Sequence, residues 1–250
     1  MSQAQLPSKT IPNFSLSDAY RTALEIKEIR ENKKEKASGI KVGFTNKTIW
    51  DKYSVNAPIY GFMYSSTILN TKQSFSPEKF LEPKFEPEIF FRLSKKPHRE
   101  MSDIDLIACC ESFGIGVELV QSIYKGWTFK LPDTVAGFGL HGQYKILEEM
   151  PIPSDENNRV VVINQLKNFN LTLKKNSKIM EHGKSKNILE ESPLAALRSY
   201  IEFCEKNSDW LVLNGPITTG TITDAYDINK DDVFSCELDC LSKKRFVVKF

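Results

Sequence analysis

The sequence has no long apolar run and almost no excess of either charge. No stretch of about 18 apolar residues occurs, so we expect no transmembrane helix. The opening segment, MSQAQLPSKTIPNFS, is polar and lacks the apolar core of a secretory signal, which favours a cytoplasmic location. The 34 basic and 32 acidic residues leave a net charge of +2. This balance gives no reason to expect bulk electrostatic attraction to nucleic acid or membrane.

Cysteine is scarce, and its spacing does not indicate a metal site. The chain has five cysteines and no CxxC pair. An odd number of cysteines without CxxC spacing, in a protein expected in the cytosol, favours reduced thiols over disulfides. A zinc site built on Cys236 and Cys240 would need two more ligands, and the pattern does not supply them.

The 250 residues fit one large domain, or a main body with a small N-terminal cap. We predict an N-terminal arm and cap helix over residues 1–38 and a β-rich catalytic unit over residues 39–250. Ser15 or Ser17 is expected to cap the first helix, which ends in the charged stretch before Gly39.

After Gly39 the pattern becomes rich in strands. Strands are predicted at IKVGFT, APIYGFMYSSTI, FEPEIFFRLS, FGIGVELVQSIY, VVVINQL, WLVLNG, VFSCEL and RFVVKF. FNLTLKKNSKIMEHG predicts a hairpin that turns at residues 175–177. The clearest helix is SPLAALRSYIEFCEKN, with Ser192 as its cap and Pro193 in its first position. Many strands with helices at intervals predict an α+β fold with a large mixed sheet or barrel.

Glu86 and Glu88 stand two residues apart in FEPEIFF, so their side chains share one face of a strand. Two carboxylates flanked by apolar residues repel each other unless a cation lies between them. Mg²⁺ or Mn²⁺ fits, because hard cations take oxygen ligands. An exposed strand edge with two solvated glutamates is the alternative.

Glu118 lies in GIGVELV, with apolar residues on both sides. A lone glutamate in such a run needs a partner. Either it joins the metal site, or it forms a structural salt bridge with Lys41 or Lys130.

Seven blocks now occur in one order: GIKVGFT, YGFMYSS, PKFEPEIFF, GIGVELVQSIY, GWTFKLPDTVAG, ESPLAALRSY and WLVLNGPITTG. In this order they resemble the fumarylacetoacetate hydrolase superfamily, specifically its branch of 2-keto-4-pentenoate hydratases and 4-oxalocrotonate decarboxylases. The resemblance runs from about residue 18 to the C-terminus. It implies a rolled β-sheet or barrel with an N-terminal helical cap, and dependence on Mg²⁺ or Mn²⁺.

The resemblance also assigns residues. Glu86 and Glu88 match the family's E-x-E pair, and Glu118 matches its third acidic ligand. Lys41 and Lys130 match lysines that lie at the active site and face the substrate in relatives, so both are candidate catalytic residues. The candidate substrate-binding residues are Ser65, Ser66, Leu140, His141 and Thr218.

The resemblance implies a lyase of aromatic-compound catabolism, either a hydro-lyase or a carboxy-lyase. A small 2-oxo acid or 2-hydroxydienoic acid would chelate the metal, which would stabilise an enolate during proton transfer or loss of CO₂. The alternative is an impaired member that only binds a 2-oxo acid or a partner subunit. A homo-oligomer, with a possible related partner subunit, is also implied.

The chain departs from the family at several positions. Ser65 and Ser66 stand where related hydratases carry acidic residues, and Ala136 to Leu140 replace a stretch that lines the pocket in relatives. A changed substrate or step, a loss of activity, or a shifted alignment would each explain these differences. We expect a shift from hydration towards decarboxylation, because serine is a poor base and Phe138 and Leu140 make the pocket drier.

Histidine is rare: the chain has three, at positions 98, 141 and 182. His98 and His182 are expected at the surface. His141 either replaces a lost polar contact of the pocket or faces solvent from a loop. No histidine precedes residue 98, so the histidine–glutamate pair of the superfamily's hydrolases has no counterpart, and simple C–C hydrolysis is disfavoured.

Overall fold

The computed structural model describes residues 3–70, 72–239 and 244–250. The α-helices are α1 (Pro7–Thr10), α2 (Leu16–Asn32), α3 (Trp50–Tyr53), α4 (Asp103–Ile107), α5 (Leu131–Ala136), α6 (Glu156–Asn168) and α7 (Pro193–Lys206). The strands are β1 (Ala37–Gly43), β2 (Ile59–Tyr64), β3 (Ile68–Leu69), β4 (Lys84–Leu93), β5 (Cys110–Val120), β6 (His141–Pro151), β7 (Asn170–Lys175), β8 (Lys178–Lys184), β9 (Pro216–Thr221), β10 (Tyr226–Asp227), β11 (Val233–Leu238) and β12 (Arg245–Lys249). None of these described helices is long and apolar enough to cross a membrane.

A mixed sheet forms the centre of the fold and rolls into a half-barrel. Its strands lie in the order β2-β1-β9-β4-β5-β6-β3, and β10 pairs with β4 outside this path. β1 runs parallel to β9, β3 runs parallel to β6, and the other pairs are antiparallel. The predicted α+β fold with a mixed, rolled sheet is confirmed.

Alternation along β4 separates two environments. Phe85, Ile89 and Phe91 point into the main hydrophobic core. Phe85 stacks there on Phe234 of the second sheet, with ring centroids 4.2 Å apart. Phe90 faces the opposite side and packs with Met63 and Tyr144 in a small separate cluster. Since side chains two apart share a face, Glu86 and Glu88 lie on the side of Phe90.

The second sheet has the order β12-β11-β7-β8. The hairpin predicted at residues 175–177 is confirmed: β7 and β8 are joined by Asn176 and Ser177, which both have positive φ angles, 49° and 68°. Two left-handed residues in succession match the twist of the flanking strands.

The helical predictions for α2 and α7 are also confirmed. Ser15 caps α2, and its side chain and that of Asp18 form a reciprocal capping box. α7 buries the predicted stripe that includes Leu194, Leu197 and Ile201. Ser192 occupies the N-cap position of α7, but its buried hydroxyl has no hydrogen-bond partner within the described chain. The division at residue 39 stays a prediction.

The strand predicted at VVVINQL is wrong, because these residues lie in α6. The Asp155 side chain accepts a hydrogen bond from the Asn158 backbone N–H at 2.9 Å and so begins the helix. Val162, Ile163 and Leu166 are buried on one face. This burial outweighs the strand preference of a β-branched run.

The strand predicted at WLVLNG is also wrong. Trp210 closes a short 3₁₀ turn, and residues 211–215 are irregular. The Tyr200 hydroxyl of α7 donates to the Trp210 carbonyl at 2.6 Å and accepts from the Val212 N–H at 3.0 Å. The Tyr200 side chain therefore satisfies backbone groups that a neighbouring strand would otherwise bond.

The four described cysteines, Cys109, Cys110, Cys204 and Cys236, are buried free thiols. Cys240, named above with Cys236, lies outside the described residues.

Candidate metal centre and active site

Five neighbouring strands bring the polar residues of the site together, in the spatial order β1-β9-β4-β5-β6. Glu86 and Glu88 come from β4, and Glu118 comes from β5, directly opposite Glu86 in the antiparallel register. Oxygen atoms of the three carboxylates lie within 4.8 Å of one another. Glu88 and Glu118 are fully buried, and Glu86 is half-buried. Like charges directly opposite each other are destabilising, so this register calls for a cation.

Lys41 of β1 supplies one positive charge to this group. Its Nζ lies 3.3 Å from Glu118 Oε2, and both side chains are almost completely buried. Burial lowers the pKa of Lys41, but the charges of Glu118, Glu86 and Glu88 outweigh burial and leave the pKa above its usual value. The side chain is therefore an ammonium ion.

One ammonium ion does not neutralise three carboxylates. Burial raises the pKa of Glu86 to about 7, against the opposing effect of Lys41. Burial and the charges of Glu118 and Glu86 raise the pKa of Glu88 well above its usual range. Burial also acts to raise the pKa of Glu118, but Lys41 and His141 outweigh it and hold this pKa below its usual value. Burial and the neighbouring carboxylates therefore favour the protonated form of Glu88.

His141 is buried beside Glu118, so the interpretation as a solvent-facing loop residue is wrong. Its Nδ1 lies 2.7 Å from Glu118 Oε1, and its Nε2 lies 2.9 Å from Thr67 Oγ1. His141 begins β6, which pairs with β5. This pairing places the histidine behind the carboxylate group.

β9 closes the other side of the group through its backbone. The Gly220 N–H donates to Glu88 Oε2 at 3.2 Å. Gly220 has a φ angle of 84°, and an added Cβ would lie 1.9 Å from Thr45 Oγ1. Thr218, also in β9, is fully buried, and its hydroxyl accepts from the Val42 N–H at 3.4 Å.

Two carboxylate oxygens in this group have no hydrogen-bond partner among the described residues. They are Glu88 Oε1 and Glu118 Oε2, and the nearest cation to the latter is Lys41. A buried polar atom without a partner costs about 1–3 kcal/mol. Three converging carboxylates with unsatisfied oxygens fit a hard divalent cation such as Mg²⁺, which binds oxygen ligands.

Glu86, Glu88 and Lys41 line a cavity of about 800 Å³, including its open mouth. Polar and apolar side chains both line its wall, and four of the apolar ones are aromatic. Tyr53 stacks on Phe129 at 5.4 Å, and Phe44 and Trp127 lie next to this pair. We did not predict these four residues as site residues. Three of them, Tyr53, Trp127 and Phe129, lie in the aromatic-rich segments KTIWDKY and GWTFK, and this enrichment was the available sequence signal.

Gly139 and Leu140 form part of the same wall. Phe138, Gly139 and Leu140 all have positive φ angles, of 63°, 65° and 63°. An added Cβ at Gly139 would lie 3.0 Å from Lys41 Cδ, so this strained turn packs against the lysine stem. Strained backbone of this kind is typical of functional sites.

Three predicted site residues lie elsewhere. Lys130 is exposed and precedes α5, and it is not among the residues that line the cavity. Ser65 and Ser66 are exposed in the turn between β2 and β3, and the Ser66 hydroxyl contacts the Glu35 carboxylate. Asp133, near Lys130, is buried, and its carboxylate accepts hydrogen bonds from the Ser8 hydroxyl at 2.7 Å and from the Lys130 backbone N–H at 2.8 Å.

Comparison with known proteins places this site in context. No family model matches the chain. A 4-oxalocrotonate decarboxylase from a Pseudomonas species is 23% identical over 258 residues, which cover 98% of this chain and 94% of that protein. A 2-hydroxypent-2,4-dienoate hydratase from Pseudomonas putida is 30% identical over 126 residues, or 50% of this chain and 57% of that protein.

Among solved structures, 4-oxalocrotonate decarboxylase from Pseudomonas putida G7 has a TM-score of 0.86 at 20% identity, covering all of this chain and 91% of that one. The chain is thus similar to the 2-keto-4-pentenoate hydratase and 4-oxalocrotonate decarboxylase branch of the fumarylacetoacetate hydrolase superfamily. The named members of this branch are lyases, and the predictions of the branch and of a lyase are confirmed. The Pseudomonas putida G7 decarboxylase binds magnesium with adipate and, in another structure, calcium with acetate. A divalent metal in this branch is thus supported.

Proposed function

We propose that this chain is a divalent-metal-dependent lyase for a small 2-oxo acid or 2-hydroxydienoic acid, with Glu86, Glu88 and Glu118 as the metal ligands. The observation that carries the proposal is the carboxylate group with two unsatisfied buried oxygens, two members of which, Glu86 and Glu88, line a cavity. Mg²⁺ or Mn²⁺ is the ion we propose.

A divalent ion held there would polarise the carboxylate and keto oxygens of the substrate. Lys41 reaches the same place from β1, and as an ammonium ion it attracts and orients an anionic substrate. The aromatic side chains of the cavity would limit the access of water beside a bound substrate, which would strengthen each electrostatic contact there.

Hydration and decarboxylation both remain within this proposal. The expected shift towards decarboxylation depended in part on Ser65 and Ser66, which lie at the surface away from the cavity. Their replacement of acidic residues therefore does not favour either reaction. Relatives that carry out each reaction resemble this chain, and the decarboxylase resemblance extends over more of it.

The test begins with metal-stripped protein and calorimetric titration with Mg²⁺. The wild type is expected to bind one ion, and Glu88→Gln is expected to lose that binding. Glu111→Gln is the matched control, because Glu111 lies in β5 with Glu118 but is exposed. Equal binding by the wild type and Glu88→Gln would contradict the metal site.

Turnover is then measured with 2-hydroxypentadienoate and with a 4-oxalocrotonate-type diacid, with and without Mg²⁺. Metal-dependent loss of the dienoate identifies a hydratase, and metal-dependent release of CO₂ identifies a decarboxylase. Metal binding without turnover of either acid would support the alternative, a member that only binds its ligand or a partner subunit.

We also propose a cytoplasmic homo-oligomer, following the family resemblance. Analytical ultracentrifugation of the whole chain tests the oligomer, and a monomer at micromolar concentration would contradict it.

A further inference from the structure

The two oxygens of Glu118 have different surroundings. Oε1 contacts His141 Nδ1 at 2.7 Å. Oε2 has no hydrogen-bond partner among the residues described, and it faces Lys41 Nζ at 3.3 Å. One oxygen thus contacts the histidine, while the other faces the Lys41 ammonium and has no hydrogen-bond partner among the described residues. Rotation of the carboxylate about its terminal bond would exchange these surroundings.

A carboxylate that binds a metal ion is deprotonated, so in the metal-bound site the hydrogen between His141 and Glu118 would belong to the histidine. An ionised carboxylate has no hydrogen and only accepts hydrogen bonds. Nδ1 therefore donates to Oε1, whichever state the other ring nitrogen adopts.

The histidine ring is itself fixed at its far side. Its Nε2 lies 2.9 Å from Thr67 Oγ1, and Thr67 Oγ1 also accepts from the Tyr64 N–H at 3.1 Å. The Thr67 carbonyl accepts from the Tyr144 N–H of β6 at 2.9 Å. Thr67 is therefore tied both to the turn after β2 and to the strand that carries His141.

We propose that His141, held by Thr67, is a positioning residue that fixes the Glu118 carboxylate so that Oε2 faces Glu86 and Glu88. This inference rests on the proposed metal site. Partners of metal-bound carboxylates typically change metal affinity by about 10- to 100-fold when they are removed. The turn that carries Ser65 and Ser66 therefore acts on the site through Thr67, its next residue.

The test is calorimetric titration with Mg²⁺ alone and with Ca²⁺ alone, on three variants of His141. Asparagine places an amide N–H close to the position of Nδ1, so His141→Asn is expected to keep affinity within a few-fold of the wild type. His141→Gln reaches the position of Nε2 instead, and His141→Leu has no donor. Both are expected to bind about 10- to 100-fold more weakly.

Thr67 provides an independent arm. Thr67→Ser keeps the hydroxyl and is expected to bind as the wild type does, whereas Thr67→Val is expected to bind more weakly. The matched control is His182→Leu. Like His141, His182 contacts a threonine hydroxyl, with its Nδ1 3.1 Å from Thr172 Oγ1, but His182 is exposed. It is expected to leave affinity unchanged.

The outcomes separate this inference from the proposed function. A wild type that binds neither ion would overturn both. A wild type that binds, with His141→Leu binding equally well, would overturn the positioning role alone. If His141→Leu does not fold, equal affinities of His141→Asn and His141→Gln would overturn it.

Discussion

At the scale of single residues, the two roles that we propose for Lys41 separate on mutation. Its ammonium group offsets part of the charge of three carboxylates, and it also reaches the space where a substrate would bind. A merely structural ion pair and a catalytic lysine would look alike in this arrangement. The two roles respond differently to a bound divalent ion. The ion can restore the positive charge that a substitution of Lys41 removes, but it cannot restore the hydrogen-bond donor that a substrate would contact.

Lys41→Met is expected to abolish turnover while Mg²⁺ binding persists. Removing one partner of a buried ion pair costs about 3–5 kcal/mol, so the metal-free variant should unfold at a lower temperature than the metal-free wild type. Adding Mg²⁺ should recover most of that difference, since the ion supplies the missing positive charge. Thermal melts with EDTA and with Mg²⁺, beside a turnover assay, measure all three effects. Turnover that survives the substitution would show that Lys41 is structural.

The carboxylates were the most predictable part of the site. Glu86 and Glu88 share a face because of their spacing within one strand, which is local information. The burial of His141 was not predictable, because it follows from the pairing of β6 with β5, and pairing between distant segments is not encoded in local pattern. The aromatic residues that line the cavity come from two separate segments. Their contact likewise depends on the pairing of distant parts of the chain.

At the scale of elements, β9 shapes the site with its backbone more than with its side chains. Gly220 donates its N–H to Glu88 and adopts a φ angle that favours glycine. The residue lies against Thr45 so closely that a side chain has no space. The predicted strand WLVLNG ended where this strand begins.

Gly220→Ala is expected to destabilise the protein by about 2–4 kcal/mol, from left-handed backbone strain together with overpacking against Thr45. Denaturant unfolding measures the change. Gly126→Ala is the control: Gly126 has a φ angle of 66°, but its added Cβ would meet only Thr128 Oγ1, at 4.0 Å. The control should show the backbone strain alone, about 1–2 kcal/mol. Equal losses in the two variants would show that contact with Thr45 costs nothing.

The elements predicted well and badly also differ physically. α7 has a cap position, a proline in its first turn and one apolar stripe, so local and tertiary preferences agree. In α6 the run of valines prefers a strand, whereas the Asp155 cap and the buried face specify a helix. Tertiary packing favours the helix over the strand. This packing involves residues distant in sequence, so a local sequence window does not reveal it.

At the scale of the whole molecule, the carboxylate group couples folding to pH. The Glu86 carboxyl has a pKa of about 7 in the folded chain, and the pKa of Glu88 lies well above its usual value. In the unfolded chain a glutamate releases its proton near pH 4.3. Between these values the folded chain binds more protons than the unfolded chain, so stability falls as pH rises.

Metal-free protein is therefore expected to melt at a lower temperature at pH 8 than at pH 6. Saturating Mg²⁺ should remove most of this dependence, because the ion takes the place of the protons between the carboxylates. Scanning calorimetry at both pH values, with EDTA or Mg²⁺, measures the effect. Glu86→Gln/Glu88→Gln is the matched control and should show a smaller dependence on pH. A metal-free wild type that melts higher at pH 8 would contradict the excess of bound protons in the folded chain.

The loop that joins the antiparallel strands β4 and β5 lies far from the carboxylate group. Glu86 and Glu118 pair near one end of the two strands, and residues 94–109 join the strands at the other end. Glu86 stands roughly 23 Å from Leu93 along an extended strand. The exposed residues Lys95 and Lys96 are therefore a natural point for inserting a fluorescent reporter or an affinity tag. Such a fusion would leave the ligand geometry intact and allow the enzyme to be followed or immobilised while it works.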